Sequence, residues 1–255
     1  MHISDNDNPR VMVRVIALDE NPRSSILKDR PKEIEDYKVY KAVRCVDHEI
    51  RYDNGLANIH KGRPLTVAEL LCYSSHFCVW KDFIASESEI LIVLEDDTVI
   101  DWKSIGVIIG SKDLMLFDGI FRLFTRYPAK HKIVGETKNR FITRLVGYAC
   151  GAQGYILGRH QASKLVDYCR IASRPIDDQI DRYWDHGVRS FSVYPFPVME
   201  MLLPSTVQHD VPTYAGDFSV QWLRRIIYTM RDGFLRTVME MRLKLLTLLI
   251  GRGYI

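Results

Sequence analysis

Residues 65–97 read "LTVAELLCYSSHFCVWKDFIASESEILIVLEDD", and two periodicities meet in them. Leu70, Leu71, Phe77, Val79, Trp80, Phe83 and Ile84 recur at three- and four-residue intervals, the spacing of one helix face. Thr66 followed by Glu69 has the form of a capping box, so the helix is expected to begin near residue 66. The run "ILIVL" that follows is too short for a helix and suits a strand covered on both faces. Helix into doubly covered strand predicts an α/β fold, and in open α/β sheets ligands bind beyond the carboxyl ends of the strands. Glu95, Asp96 and Asp97 fall at that end.

Working outward, "RVMVRVIAL" (10–18) predicts a first strand with Asp19 at its end. A short helical segment over 24–37, interrupted by Pro31, leads to a second strand in "KVYKAVRCV" (38–46), an order that suggests a parallel sheet. Downstream, a helix is expected at 101–110 and strands at 119–124 and 139–146. "GAQGYILG" reads as a tight turn into a buried strand, and "RHQASKLVDYCRIA" as a helix. "PIDDQIDRYWDHG" is expected to open another helix at its proline, and "VRSFSVYPF" to form a strand. The expected architecture is one α/β domain over 1–215 with a mostly parallel central sheet, followed by a basic helical tail over 216–255.

The composition, 47% hydrophobic and 26% charged over 255 residues, is that of a globular chain able to bury a core. The net charge of +3 is unevenly placed: residues 220–255 hold seven basic and two acidic side chains, so the preceding residues are net negative. That asymmetry points to an anionic partner for the tail and away from a general nucleic-acid surface. The opening "MHISDNDNPR" lacks the pattern of a secretory signal, and no apolar run reaches the roughly 18 residues of a spanning helix. Five cysteines without a C-x-x-C pair suggest idle thiols in a reducing cytoplasm, neither a disulfide framework nor a zinc site.

Three adjacent carboxylates repel. Proton uptake, splaying into water or a bound cation would relieve them, and a hard ion such as Mn²⁺ or Mg²⁺ takes carboxylate oxygens while leaving positions open for phosphates. A solvated loop start or a helix N-terminal cluster is the alternative.

The block from Leu65 to Asp97 resembles glycosyltransferase family 25, the lipooligosaccharide-biosynthesis and collagen galactosyltransferase family. There a capped L-T-x-x-E helix carrying C-x-x-S-H precedes a strand ending in E-D-D. The matching positions are Leu65, Thr66, Glu69, Cys72, Ser75, His76, Glu95, Asp96 and Asp97. Ala68 and Leu71 stand where the family has glycine, and Ser74 where it has leucine. "VIALDENPR", "VYKAVRCVDHE", "GAQGYILGRHQASKLV", "RPIDDQI" and "PSTVQHD" resemble further family segments, in the family's order.

The resemblance implies a single-domain α/β/α fold of the glycosyltransferase A (GT-A) type and an inverting transfer from a nucleotide-sugar donor, with galactose from its uridine diphosphate the leading expectation. It implies that Asp97, with Asp96 or Glu95 assisting, holds the metal, Mn²⁺ or Mg²⁺; His209 is a candidate to complete the shell from the C-terminal side, a plain surface histidine being the alternative. Ser75, His76, Glu95, Asp96, Tyr155 and Asp19 are the expected donor contacts, against a structural histidine at 76, a turn cap at Asp19 and a bulge at Gly154 beside Tyr155. Asp177 is the first candidate for the base on the acceptor side and Asp178 the second, although an acid in that place also serves as an ordinary helix cap. A metal-dependent phosphoesterase or nucleotidyltransferase using the same carboxylates, or an inactive sugar-nucleotide-binding homologue, are the rival readings.

In "FLRTVMEMRLKLLTLLIGRGYI" apolar residues alternate with Arg236, Arg242 and Lys244, as in an amphipathic helix lying in a membrane interface. Packing on the domain or on another subunit is the alternative. With a lipid-linked oligosaccharide acceptor, the expected location is the cytoplasmic face of a bacterial inner membrane.

Overall fold

The capping box forms as expected. In the computed structural model, which describes residues 9–19, 34, 36–111, 117–201 and 218–250, Thr66 Oγ1 accepts from the Glu69 N–H at 3.1 Å and the Glu69 carboxylate accepts from the Thr66 N–H at 2.8 Å. Arg63 grips that carboxylate through two bonds of 2.7 and 2.6 Å, which fixes the start of the helix. A cap of this kind is worth about 0.5–2 kcal/mol.

The elements in chain order are β1 (Val11–Ala17), β2 (Asp36–Lys41), β3 (Arg51–Tyr52), α1 (Asn54–Lys61), α2 (Val67–Ala85), β4 (Ile90–Glu95), β5 (Thr98–Ile100) and α3 (Trp102–Ile109). They continue as β6 (Gly119–Arg122), β7 (His131–Thr137), β8 (Arg140–Leu145), β9 (Gly154–Gly158), α4 (Arg159–Tyr168), β10 (Ile171–Ala172), α5 (Ile176–Ile180) and α6 (Tyr183–His186). The last are β11 (Arg189–Tyr194), β12 (Val198–Glu200) and α7 (Phe218–Ile250).

Eight strands make the central sheet, in the order β2-β1-β4-β9-β6-β11-β8-β7. Alternate side chains of its strands feed two cores. Met12 and Ile16 of β1, Leu91 and Val93 of β4, and Leu157 of β9 pack under α2 and α4 with Phe77, Trp80, Phe83 and Leu165. Val13, Val15, Ile92, Leu94 and Ile156 face the other way, onto Trp102, Ile105 and Ile108 of α3. The period of two in the strands thus produces helix, sheet and helix layers, and each fully buried large apolar side chain contributes about 1.5–3 kcal/mol.

The expected mostly parallel sheet needs correction. β1 pairs in parallel with β2 and β4, and β6 with β11, but β9 runs antiparallel between β4 and β6, and β8 runs antiparallel to both β7 and β11. β9 is covered on both faces, as β4 and β6 beside it are, so its apolar run carries no trace of its direction. This reversal brings the start of β9 to the edge where β4 ends: Leu94 pairs with Gly154, and the Glu95 N–H donates to Gln153 O at 2.9 Å.

Two local expectations also shift. The stretch 175–187 forms two short helices because Asp181 and Arg182, at the break, turn inward and are 1% exposed. The second strand starts at Asp36 and ends at Lys41, ahead of the expected span, while most of the expected helix over 24–37 lies outside the described residues. The described part of the tail is the single helix α7. Its inner face docks on the domain through its two acids: Asp232 receives the Arg182 guanidinium at 2.7 and 2.6 Å, and Glu240 receives the Tyr183 hydroxyl at 2.9 Å as well as Arg144. No helix among the described residues is long and apolar enough to cross a membrane.

Candidate active site

The site gathers at one edge of the sheet. β4 and β6 end there, β9 begins there, and α5 starts beside the loop 149–153. Glu95 is half-buried at the end of β4, Asp96 is 5% exposed, and Asp97 is half-buried in the turn that follows. The Asp96 N–H donates to Ile16 O at 3.1 Å and the Met201 N–H to Asp97 O at 2.7 Å, so the backbone of the triplet is tied to neighbouring segments on both sides. Asp19 lies exposed just past β1, on the same edge.

Asp177 and Asp178 lie in the first turn of α5. Asp177 shares one electrostatic neighbourhood with Glu95 and Asp97. Burial pushes the Cys72 thiol well above its ordinary range, and the charges of Glu95, Asp177 and Asp97 push it further. Asp177 accepts from the Asp178 N–H at 2.9 Å, the Gly151 N–H at 3.3 Å and the Cys150 thiol at 3.3 Å. Asp178 meets the Lys61 ammonium at 2.6 Å, yet burial and its neighbour Asp177 hold its carboxyl above the usual range. Burial, then Asp177 and Asp178, raise the Cys150 thiol to about 12.

Ser75 and Tyr155 are placed differently from expectation. Ser75 is fully buried; its hydroxyl donates to Leu71 O at 2.8 Å and accepts from the Val43 N–H at 3.1 Å, while Ser74 Oγ accepts from the Asp47 N–H at 2.9 Å. The serine pair therefore anchors the segment after β2 to α2 and positions the cleft wall without lining it. Tyr155 is also fully buried, and its oxygen accepts from Trp80 Nε1–H at 2.9 Å and lies 2.8 Å from His76 Nδ1. Burial keeps this phenol protonated. Its O–H can then donate to His76 Nδ1, which leaves a proton on Nε2, facing Glu95 Oε1 at 3.4 Å. The opposite tautomer would aim a lone pair at a carboxylate. Trp80, Tyr155 and His76 thus form one hydrogen-bonded group in the core, and His76 Nε2, which makes no hydrogen bond among the described residues, lies near Glu95.

This group makes a prediction. Tyr155→Phe removes the hydroxyl and strands two buried ring nitrogens, so thermal or urea unfolding should show a loss of about 1–3 kcal/mol. If Glu95 ligates an ion, the ion's affinity should fall by roughly 10- to 100-fold in calorimetry, the usual effect of losing an outer-shell partner. Wild-type stability and affinity in the variant would remove the relay from the account.

Sequence reasoning missed Arg122 and Asp181. Both are essentially fully buried and pair at 2.6 Å; Asp181 also accepts from the Ala149 and Cys150 N–H groups at 2.8 Å each, and Arg122 donates to Gly151 O. They hold the loop 149–151 in the shape that presents Cys150 and Gly151 to Asp177. Gly151 has φ of 86°, and a Cβ there would come 2.2 Å from the Gln153 side chain, so glycine is required. The available signal was a lone arginine inside the apolar strand "GIFRLF". Arg126 was missed as well: it is salt-bridged to Glu200 and lies within the field of Asp177 and Glu95.

Among the described residues, three groups bring metal-ligating atoms within 4.8 Å of one another: Cys72 with His76 and Glu95, Cys150 with Asp177 and Asp178, and Asp47 with His48 and Glu49. In the third, Lys81 and Arg170 neutralise the carboxylates. The first two contain the candidate acids Glu95, Asp177 and Asp178. His209, expected to complete the metal shell, lies outside the described residues.

An α/β layered fold with carboxylate groups at the carboxyl edge of its sheet has the form of an enzyme site at the place where such folds bind ligands. The model of glycosyltransferase family 25 (LPS biosynthesis protein) matches residues 12–180, and the chain belongs to that family. It is similar to a glycosyltransferase 25 family member of Anopheles gambiae, 26% identical over 160 residues that cover 61% of this chain and 26% of that protein. It is also similar to the lipooligosaccharide biosynthesis protein lic2B of Haemophilus influenzae, 25% identical over 121 residues, 43% of this chain and 44% of that one. A segment of 43 residues is 46% identical to procollagen galactosyltransferase 2 of Mus musculus, covering 17% of this chain and 7% of that protein. The chain spans about a quarter of the length of the insect relatives it matches.

Proposed function

We propose that the chain is an inverting, metal-dependent hexosyltransferase of the GT-A type, moving galactose from UDP-galactose in β linkage onto a lipooligosaccharide or lipopolysaccharide acceptor. The observation that carries this reading is that Glu95, Asp97 and Asp177 all act on the Cys72 thiol at one edge of the sheet, in a chain of family 25.

Half-buried Glu95 and Asp97 supply hard oxygen donors, which suit Mn²⁺ or Mg²⁺. The ion, when bound, would neutralise charge developing on the leaving diphosphate. His76 Nε2 lies 3.4 Å from Glu95, and the charges of Glu95 and Asp177 reach Arg126. On the acceptor side Asp178 is the better base of the two acids: Asp177 is occupied by three protein donors, whereas Asp178 has a raised proton affinity. It takes the acceptor hydroxyl's proton as that oxygen bonds the anomeric carbon, and the bond to the diphosphate breaks with its electron pair leaving on UDP. A screen of nucleotide sugars with Mn²⁺, reading released nucleotide and product glycan, tests the proposal. UDP release with galactose in the product supports it; cleavage inside the nucleotide would favour the phosphoesterase reading.

We place the enzyme at the cytoplasmic face of an inner membrane through the outer face of α7. Leu223, Ile227, Met230, Phe234, Met241 and Leu245 are each more than half exposed and recur at spacings that keep them on one side, about opposite Asp232 and Glu240. Exposed Arg224, Arg231, Arg242 and Lys244 flank this stripe, as an anionic lipid surface requires. We take the catalytic unit as residues 1–215 and the tail as 216–255, with α7 docked on that unit. Replacing Ile227, Met230, Phe234 and Met241 by serine should abolish sedimentation with vesicles containing anionic lipid and leave the melting temperature unchanged. Undiminished vesicle binding, or loss of a dimer in its place, would contradict the membrane assignment.

A further inference from the structure

Between α1, the α5–α6 segment and α7 lies a cavity of about 350 Å³ whose walls include His60, Tyr148, Arg174, Asp178, Trp184 and Tyr228. Its size is that of a small-ligand site, and aromatic faces alternate in its walls with charged groups of both signs. Asp178 belongs both to this cavity and to the cleft described above, so whatever enters here reaches the acceptor side of the reaction. Tyr148 meets Trp184 edge-on at 5.7 Å and Tyr228 meets His60 at 5.1 Å, an arrangement that gives the cavity aromatic walls on both the domain and the α7 side.

The charge pattern is specific. Arg174 is 8% exposed and donates no hydrogen bond to any described residue. Its ion pair is with Asp232 at 3.6 Å, but both oxygens of that carboxylate are already engaged by Arg182 at 2.7 and 2.6 Å. One carboxylate therefore serves two guanidinium groups, which leaves Arg174 with donors to offer at the cavity wall. Arg236 lines the same cavity from α7, half-buried and without an ion pair among the described residues. The positive field is felt by His60, pushed down to about 4 by burial and then by Arg174 and Arg182. Guanidinium groups with free donors match the oxygens of a phosphate or carboxylate.

We propose that this cavity is an acceptor subsite for an anionic sugar, with Arg174 and Arg236 receiving the oxygens of its phosphate or carboxylate and the aromatic side chains receiving its ring. The proposal rests on the assignment of Asp178 to the acceptor side. It gives α7 a second role, as one wall of the acceptor site.

Calorimetric titration of the full chain with a hexose 6-phosphate, with glucuronate and with unmodified hexose tests it. At least one of the two anionic sugars should bind at least tenfold more tightly than the neutral one, and which of them does identifies the anionic group. Arg174→Gln and Arg236→Gln should each weaken that binding by tenfold or more. If Arg174→Gln does not fold, Arg236→Gln decides, since Arg236 holds no buried pair. Equal binding of neutral and anionic sugars, wild-type affinity in the variants, or displacement of the sugar by UDP without metal would overturn the proposal. A chain that binds the anionic sugar but not UDP with Mn²⁺ would sink the donor assignment and leave this one standing; the converse result sinks this one alone.

Discussion

Asp97→Ala is expected to lower sugar transfer by roughly 10³-fold, the scale set by removing one strong electrostatic contact to a developing charge. The loss should fall on chemistry and donor binding and spare folding. Asp97 sits in the turn after β4, and its backbone carbonyl accepts from the Met201 N–H, a bond that survives the substitution. Removing one of three adjacent carboxylates also relieves their mutual repulsion, so the melting temperature without metal should hold or rise. A variant that is folded and stable yet inactive separates a ligand from a structural acid. Undiminished turnover would mean that the diphosphate is neutralised elsewhere, with Arg126 the next residue to test.

Asp178→Asn is expected to lower the rate by about 10²- to 10⁴-fold, the range for a lost general base, while donor binding persists. The pH dependence gives a sharper test. A base must be ionised to accept a proton, and burial with Asp177 raises the Asp178 carboxyl, so the rate should fall as pH drops through a value above the ordinary carboxylate range. Lys61 opposes that rise through its contact at 2.6 Å. Lys61→Met should therefore move the acid limb of the pH–rate profile to higher pH. A limb that stays in place, together with an active Asp178→Asn and an inactive Asp177→Asn, would transfer the role to Asp177.

The helix 67–85 and the strand 90–95 were legible because their signals are local: a capping box, a three-and-four spacing and an apolar run closed by acids. The direction of β9 was not, because a strand buried on both faces reads the same in either sense. Ser75 and Tyr155 carried a family motif correctly but not its meaning. Their hydroxyls face the interior, and only the fold shows Tyr155 bonded to His76, whose Nε2 lies near Glu95. Arg122 and Asp181 lie 59 positions apart in the chain, so no sequence window contains the pair that shapes the loop over Asp177. In the tail the net basic charge was plain. What the sequence concealed was the division of labour on α7, whose two acids bind the domain while Leu223, Ile227, Met230, Phe234, Met241 and Leu245 remain outside.

Calorimetric titration of UDP into the full chain, with and without Mn²⁺, tests the central claim most directly. The account predicts tight binding only when the ion is present, abolished by Asp97→Ala and kept by Asp178→Asn. Equal UDP binding with and without Mn²⁺, or unaltered Mn²⁺-dependent binding in Asp97→Ala, would contradict it.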